Sequence, residues 1–195
     1  MHIAMVGDGG LIGPLSILAT RAGHTVSRVD ETPPDVGSCA NAGMMIVAGD
    51  RSELTDLVAR VVSLTSEDIV VIDATATLSS RMEGEEEAVS ESEWMALLPN
   101  SRIVRALASV PVEAFTLIVD RQPPTAGDEL AVPLAGDDAA AKDLVAEFMR
   151  QIGVEPFDLG PLTVSYVMEP GGQLWGRAVD ALDMRECIGW LSGDG

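Results

Sequence analysis

The stretch His2-Ile3-Ala4-Met5-Val6-Gly7-Asp8-Gly9-Gly10-Leu11-Ile12-Gly13-Pro14, continued to Asp30, decides the fold. His2 to Val6 is a short apolar run that reads as a buried strand. Gly7 to Gly13 is a glycine loop. Pro14 suits the first turn of a helix, where a missing N–H costs nothing. Leu15, Leu18, Ala19 and Ala22 give that helix an apolar face. Gly23-His24 ends it, and Thr25 to Asp30 is a second strand. Strand, glycine turn, helix, strand is the order that opens a dinucleotide-binding βαβ unit.

Outward from this unit the pattern first breaks and then resumes. Glu31 to Ala42 has adjacent prolines, Pro33 and Pro34, and no helical periodicity. A parallel crossover usually carries a helix, so one βα unit after residue 30 is expected to be reduced to a loop. Met44 to Ala48 is a strand, and a helix capped by Asp50 or Ser52 follows through Val62. Ile69 to Asp73 is a strand. The acidic run Glu83 to Glu87 reads as the solvated start of a helix ending at Leu98. Arg102 to Leu107 is the next strand, and Leu130 to Ala135 another. Asp137 or Asp138 caps a helix whose face is Leu144, Val145, Phe148, Met149 and Ile152. Gly153 is its left-handed stop, and Pro156 to Leu162 is a last strand and its exit. A final helix is expected over about Gln173 to Asp183, with an edge strand at Cys187 to Leu191. The expected architecture is α/β, a Rossmann-like three-layer α/β/α sandwich with a mostly parallel sheet. It divides into residues 1–162 as a dinucleotide-binding-type domain and 163–195 as a helical extension packed on it.

Composition narrows the function. The 195 residues carry a formal charge of −19, from 31 acidic and 12 basic side chains. Such a surface repels nucleic acid and anionic membranes, so neither is expected as a partner. No apolar run reaches the roughly 20 residues that span a bilayer. Met1 leads into a strand without the features of a signal peptide, so a cytoplasmic protein is expected. The two cysteines, Cys39 and Cys187, imply neither a disulfide framework nor a metal site. The expected partner is a small-molecule substrate or cofactor.

The glycine loop is the main chemical signal. Backbone N–H groups of Gly7, Gly9, Gly10, Leu11, Ile12 and Gly13, at a helix N-terminus, suit a pyrophosphate. The spacing departs from G-x-G-x-x-G. With Gly13 third, the first position falls on Asp8. With Gly7 and Gly9 first, the third glycine comes one residue late. The loop either binds a dinucleotide or only turns the chain. Asp30, about twenty residues on, either holds the ribose hydroxyls of NAD, which excludes NADP, or is a solvated strand end. No nucleophile triad or HExxH motif is present. Tyr166, Glu169 and Ser109 are the candidates for acid/base work. Packing for Tyr166 and capping for Glu169 are the plainer roles. Hydride transfer between two bound rings needs positioning more than proton transfer.

The chain resembles the NADP-dependent oxidoreductases of the deazaflavin coenzyme F-420 over most of its length. The resemblance lies in Val70 to Thr75, Leu97-Leu98-Pro99, Ile103 to Ala106, Ser109-Val110-Pro111 with Phe115, Gly136 to Leu162, Glu169-Pro170 and Leu174-Trp175. It implies a Rossmann domain with a small helical part, a homodimer in many members, and hydride transfer between NADP and the deazaflavin. By this resemblance, and by its place at the strand ends, a cofactor cleft would include Ala48, Thr75, Ala108, Ser109, Val110 and Pro111.

The chain departs from the family at the cofactor. Asp8 replaces a glycine. Asp30-Glu31 replaces a Ser-Arg pair that holds the NADP phosphate. Ala76-Thr77 replaces Asn-Pro, and Ala108 replaces a polar residue. These changes favour NAD over NADP and leave two readings. One is an oxidoreductase that passes hydride between a nicotinamide and a deazaflavin or a small imine or carbonyl compound. The other is a scaffold that has lost dinucleotide binding and performs non-redox chemistry, of cyclase or isomerase type, or acts as a binding protein.

Overall fold

In the computed structural model, residues 1–7, 10–29, 36–66, 68–76, 91–98, 101–120 and 129–189 are described. They form a Rossmann-like α/β sandwich around one seven-stranded sheet. The strands are β1 (His2–Val6), β2 (Thr25–Val29), β3 (Met44–Asp50), β4 (Val70–Ala76), β5 (Arg102–Ala106), β6 (Leu130–Gly136) and β7 (Val154–Asp158). Their order is β2-β1-β3-β4-β5-β6-β7, and only the β5–β6 pair is antiparallel. The helices are α1 (Ile12–Arg21), α2 (Arg51–Val62), α3 (Glu91–Ala96), α4 (Val112–Asp120), α5 (Ala139–Gln151) and α6 (Ala181–Gly189).

The shortened crossover shapes one edge of the sheet. β2 pairs with β1, and the chain returns to place β3 on the other side of β1. A four-residue 3-10 helix, Val36–Cys39, stands in the return path. Its Cys39 is fully buried against the sheet. Asp30 to Asp35 and the Glu83 to Glu87 run lie outside the described residues.

Alternation along the strands builds the two faces. Ile3, Met5, Met44, Ile46, Val70, Ile72, Val104 and Ala106 point towards α1, α4 and α5. Ala4, Val6, Met45, Val47 and Val71 point towards α2, α3 and the 3-10 helix, where Trp94 is fully buried. On β6 the same alternation splits Val132 and Leu134 from Ala131 and Ala135. The latter pair packs with Val167, Met168, Leu174 and Met184 of the C-terminal segment.

Both expected ends of α5 are present. Asp138 is the N-cap, accepting from the Ala141 N–H at 2.9 Å. Asp137 instead accepts from the Leu162 N–H at 2.9 Å and ties the exit of β7 to the start of α5. Gly153 adopts φ +88° just after the helix. His24 lies beside Phe148, with ring centroids 5.6 Å apart.

The C-terminal expectation needs correction. No helix runs over Gln173 to Asp183, and Cys187 lies inside α6 rather than on a strand. Gly171 and Gly176 adopt φ +87° and +70°, which a right-handed helix does not allow. Gly172 lies against the carbonyl oxygens of Tyr166 and Val167, where a Cβ would collide with the backbone. The chain therefore turns sharply after a 3-10 helix at Leu162–Met168. The true helix start is Asp180, whose carboxylate accepts from the N–H groups of Leu182 (2.8 Å) and Asp183 (2.9 Å). Val179 makes one antiparallel bridge to Ala131. Leu191 lies outside the described residues.

Candidate functional site

A cleft of about 640 Å³ opens at the C-terminal ends of β1, β3, β4 and β5. Strand order reverses there between β1 and β3, which is where open α/β sheets bind ligands. Its walls are Gly10 and Leu11 before α1, Ala48 to Asp50 at the end of β3, Glu53 in α2, and Ala74 in β4. The turn from β5 to α4 adds Ala108, Ser109, Val110, Pro111 and Val112, and the C-terminal segment adds Trp175 and Gly176.

Seven residues expected at a cofactor site therefore meet in one cleft: Gly10, Leu11, Ala48, Ala108, Ser109, Val110 and Pro111. Others lie elsewhere. Ile12 turns its side chain into the core, while its backbone stands at the first position of α1. Tyr166 is 66 % exposed on the C-terminal segment, and its neighbours Val167 and Met168 are the ones that face inwards. Gly9 and Asp30 lie outside the described residues. Gly7 supports the loop from behind. It adopts φ +115°, its N–H donates to the Val29 carbonyl at 3.2 Å, and a Cβ on it would run into the Ala48 carbonyl oxygen.

The remaining described loop glycines, Gly10 and Gly13, are not forced by packing. A Cβ on Gly10 would reach only Val112 Cγ2 at 3.8 Å, and one on Gly13 would meet nothing within 4 Å among the described residues. Gly13 lies in α1 with an ordinary φ, so alanine suits it better there. Gly13→Ala is expected to raise stability by up to about 1 kcal/mol in chemical denaturation. A loss of that size instead would show that the position needs a bare backbone.

The rim made by β5 and α4 is strained. The Ala108 N–H donates to the Ala106 carbonyl at 2.9 Å, closing a γ-turn on Leu107, whose φ is +72°. That φ is rare for a residue with a side chain, and such strain concentrates at functional sites. Leu107 is fully buried and anchors the turn. The turn presents Ser109, which is 2 % exposed and whose hydroxyl has no hydrogen-bond partner among the described residues. A buried hydroxyl without a partner costs about 1–3 kcal/mol, so a ligand that bonds it recovers that cost.

A nicotinamide dinucleotide fits part of this arrangement. Among the described residues the α1 N-terminus has no side-chain cap and no acidic residue in its first turn, and Gly10 puts no side chain in front of it. The N–H groups of that first turn and the Ser109 hydroxyl are donors of the kind a pyrophosphate and a carboxamide require. No basic side chain is among the described residues lining the cleft, while Asp50 and Glu53 are. A second phosphate at the ribose has no cationic partner in that lining.

Beneath the cleft, on the α2 face, lies a cluster of charges that the sequence reading did not foresee. Asp73 and Arg105 are register partners on adjacent parallel strands. Arg105 donates from Nη1 to Asp73 Oδ1 (2.9 Å) and from Nε to Glu169 Oε1 (2.7 Å). Arg51, at the start of α2, donates from Nη2 to Asp73 Oδ2 (3.1 Å) and from Nε to Thr75 Oγ1 (2.8 Å). The Thr75 hydroxyl and Trp94 Nε1 donate to the same carboxylate at 2.6 and 3.1 Å. Arg51 also stands 5.6 Å over the Trp94 ring.

Burial alone pushes the Asp73 carboxyl up. Arg105 and Arg51 outweigh it, with the Thr75 bonds, and hold the group below its ordinary 3.8. Thr75 is therefore engaged in this cluster and is fully buried, while Ala74 takes the place on the cleft wall. Glu169 faces Arg105 rather than the cleft. One signal was available for the cluster: Asp73 ends the apolar run Ile69 to Ile72, and Arg105 interrupts the run Ile103 to Ala108.

The structure resembles solved proteins by shape more than by sequence. A hypothetical protein from Sinorhizobium meliloti superposes with TM-score 0.68 at 18 % identity, covering 92 % of this chain and 95 % of that one. A protein from Arthrobacter sp. FB24, provisionally named an F420-dependent NADP reductase, gives TM-score 0.63 at 21 % identity, covering 84 % and 86 %. The fold is the Rossmann type. Prephenate dehydrogenase from A. aeolicus, solved with NAD+ and hydroxyphenyl propionate, gives TM-score 0.58 at 14 % identity. It covers 86 % of this chain, which spans 62 % of that enzyme. No family model matches the sequence, and no curated protein does. Among the described residues no helix is long and apolar enough to cross a membrane.

Proposed function

We propose that this chain is a Rossmann-type oxidoreductase that holds NAD in the cleft at the β1–β3 strand ends. The observation that carries the reading is Ser109: a buried hydroxyl without a partner among the described residues, on a strained turn, in a cleft beside the start of α1. The first-turn N–H groups of α1, with Gly10 and Leu11, hold the pyrophosphate. Ser109 bonds the polar edge of a ring, and Val110 and Pro111 keep water off it. A nicotinamide bound there donates or accepts a hydride. The second hydride partner is a deazaflavin, as the F-420 resemblance implies, or a small imine or carbonyl compound. The acidic lining, with Asp30-Glu31 following β2 in the sequence, favours NAD over NADP.

Titration calorimetry of the purified protein against NAD, NADP and the deazaflavin, at moderate salt, tests this. NAD is expected to bind with a micromolar Kd, roughly −8 kcal/mol. NADP is expected to bind at least about tenfold more weakly, about 1.4 kcal/mol. Gly10→Asp places a carboxylate at the α1 N-terminus and is expected to weaken NAD by tenfold or more, roughly 1.4 kcal/mol. Unchanged affinity in that variant removes the loop from the site. The acidic side chains Asp50 and Glu53 favour a second reading, non-redox chemistry on a small molecule. That reading stands if none of the three ligands binds.

A further inference from the structure

Trp175 is the one aromatic side chain among the described residues that line the cleft, and it is half-buried there. The fold fixes its place from both sides. Leu174 before it is 1 % exposed in the third core cluster and donates its N–H to the Val167 carbonyl at 2.9 Å. Gly176 after it donates its N–H to the Ser109 carbonyl at 2.7 Å, which joins the tryptophan to the strained turn. Further back, the 2.7 Å pair between Arg105 and Glu169 holds the start of the same segment against the sheet. The backbone that carries Trp175 is thus fixed on both sides, beside a buried Ser109 hydroxyl that has no partner among the described residues.

The same cleft carries two carboxylates, Asp50 and Glu53. An indole face is the negative part of the ring's quadrupole and attracts a cation laid over it. Carboxylates at the same opening add to that attraction, and the charge of −19 raises the local concentration of cations. Indole face, carboxylates and a neutral hydroxyl together suit a flat ring that bears positive charge and has a polar substituent. We infer that the cleft selects a planar heteroaromatic cation stacked on Trp175, with Ser109 bonding its polar edge. Resting on the proposed dinucleotide site, this sets its redox preference. The oxidised nicotinamide is a planar cation and the reduced ring is neutral, so the protein holds the oxidised form more tightly.

Calorimetry with NAD+ and NADH tests this, alongside quenching of tryptophan emission by 1-methylnicotinamide, a cation, and nicotinamide, which is neutral. NAD+ is expected to bind about tenfold more tightly than NADH, the product of a cation–π contact and partly screened carboxylates. The methylated ring should quench emission where nicotinamide at equal concentration does not. Trp175→Leu should bring the NAD+/NADH ratio to within about twofold and abolish the quenching, while Trp175→Phe keeps part of both. Asp50→Asn with Glu53→Gln should lower the ratio without removing the quenching, so the test survives if Trp175→Leu does not fold.

NADH bound as tightly as NAD+, or a ratio unmoved by these variants, overturns the inference and leaves the dinucleotide site intact. Binding of 1-methylnicotinamide without binding of any dinucleotide leaves the cation platform and overturns the dinucleotide reading. Binding of neither overturns both.

Discussion

Replacing Arg105 by alanine is expected to cost about 3–5 kcal/mol of folding stability, the range for breaking a buried charge network from one side. The guanidinium is 2 % exposed and bonds Asp73, Glu169 and the backbone carbonyls of Asp73 and Thr75. Without it, Asp73 keeps, among the described residues, Arg51 as its cationic neighbour, and the C-terminal segment loses the Arg105–Glu169 pair. At this chain length the change corresponds to a fall in Tm of roughly 10–15 °C, measured by calorimetry or circular dichroism. A drop under about 3 °C would mean that the cluster contributes little. A paired change of Asp73 and Arg105 to apolar residues of similar size should cost less than the sum of the two single changes, because the two charges are coupled, although Arg51 then stays buried without its Asp73 partner.

The same cluster predicts how stability responds to acid. The Asp73 carboxyl titrates below 3.8 in the folded protein and near that value when unfolded. Its contribution is therefore complete above the unfolded value. It is lost as pH falls through the window between 3.8 and the lower folded value, because the unfolded chain takes up the proton first. Denaturation midpoints should hold level for this group through neutral pH and fall only in that acidic window. In Arg105→Ala this acid-dependent loss should shrink, because the folded value rises while the unfolded value, where the loss begins, stays the same.

Gly7→Ala is expected to be as damaging. The residue combines φ +115° with direct contact to the Ala48 carbonyl oxygen, so neither the dihedral nor the space admits a Cβ. Relief would require β1 and β3 to separate just where they form the cleft floor. A loss of about 3 kcal/mol or more, or insoluble expression, is the expected outcome. Full stability in Gly7→Ala would mean that the strand ends repack. The contrast with Gly13→Ala, expected to stabilise, separates a glycine required by backbone geometry from one that only shares its motif.

Much of this fold was legible in the sequence because it rests on local rules. The apolar run at His2 to Val6, the spacing of Leu15 and Leu18, and the cap at Asp138 each depend on neighbours in the chain. The reduced crossover was legible too, because paired prolines exclude a helix. The C-terminal segment was not. Leu174 and Trp175 suit a helical face, and only the positive φ at Gly171 and Gly176 shows that the chain turns there.

The charge cluster was illegible for another reason. Asp73 and Arg105 are 32 residues apart and meet through sheet register alone. Thr75 shows how finely the sheet decides such matters. One residue along β4 separates the wall of the cleft, at Ala74, from the interior of the charge cluster.

That cluster also bears on heat. Two arginines and two carboxylates sum to zero, and three of the four are almost fully shielded from solvent. The cost of stripping water from ions falls as temperature rises, while burial of apolar surface gains little more per unit area. The link between the sheet and the C-terminal segment therefore carries a growing share of stability on warming. Trp175 is held by that link, so the wall of the cleft should be among the last parts of the molecule to loosen as it approaches its melting point.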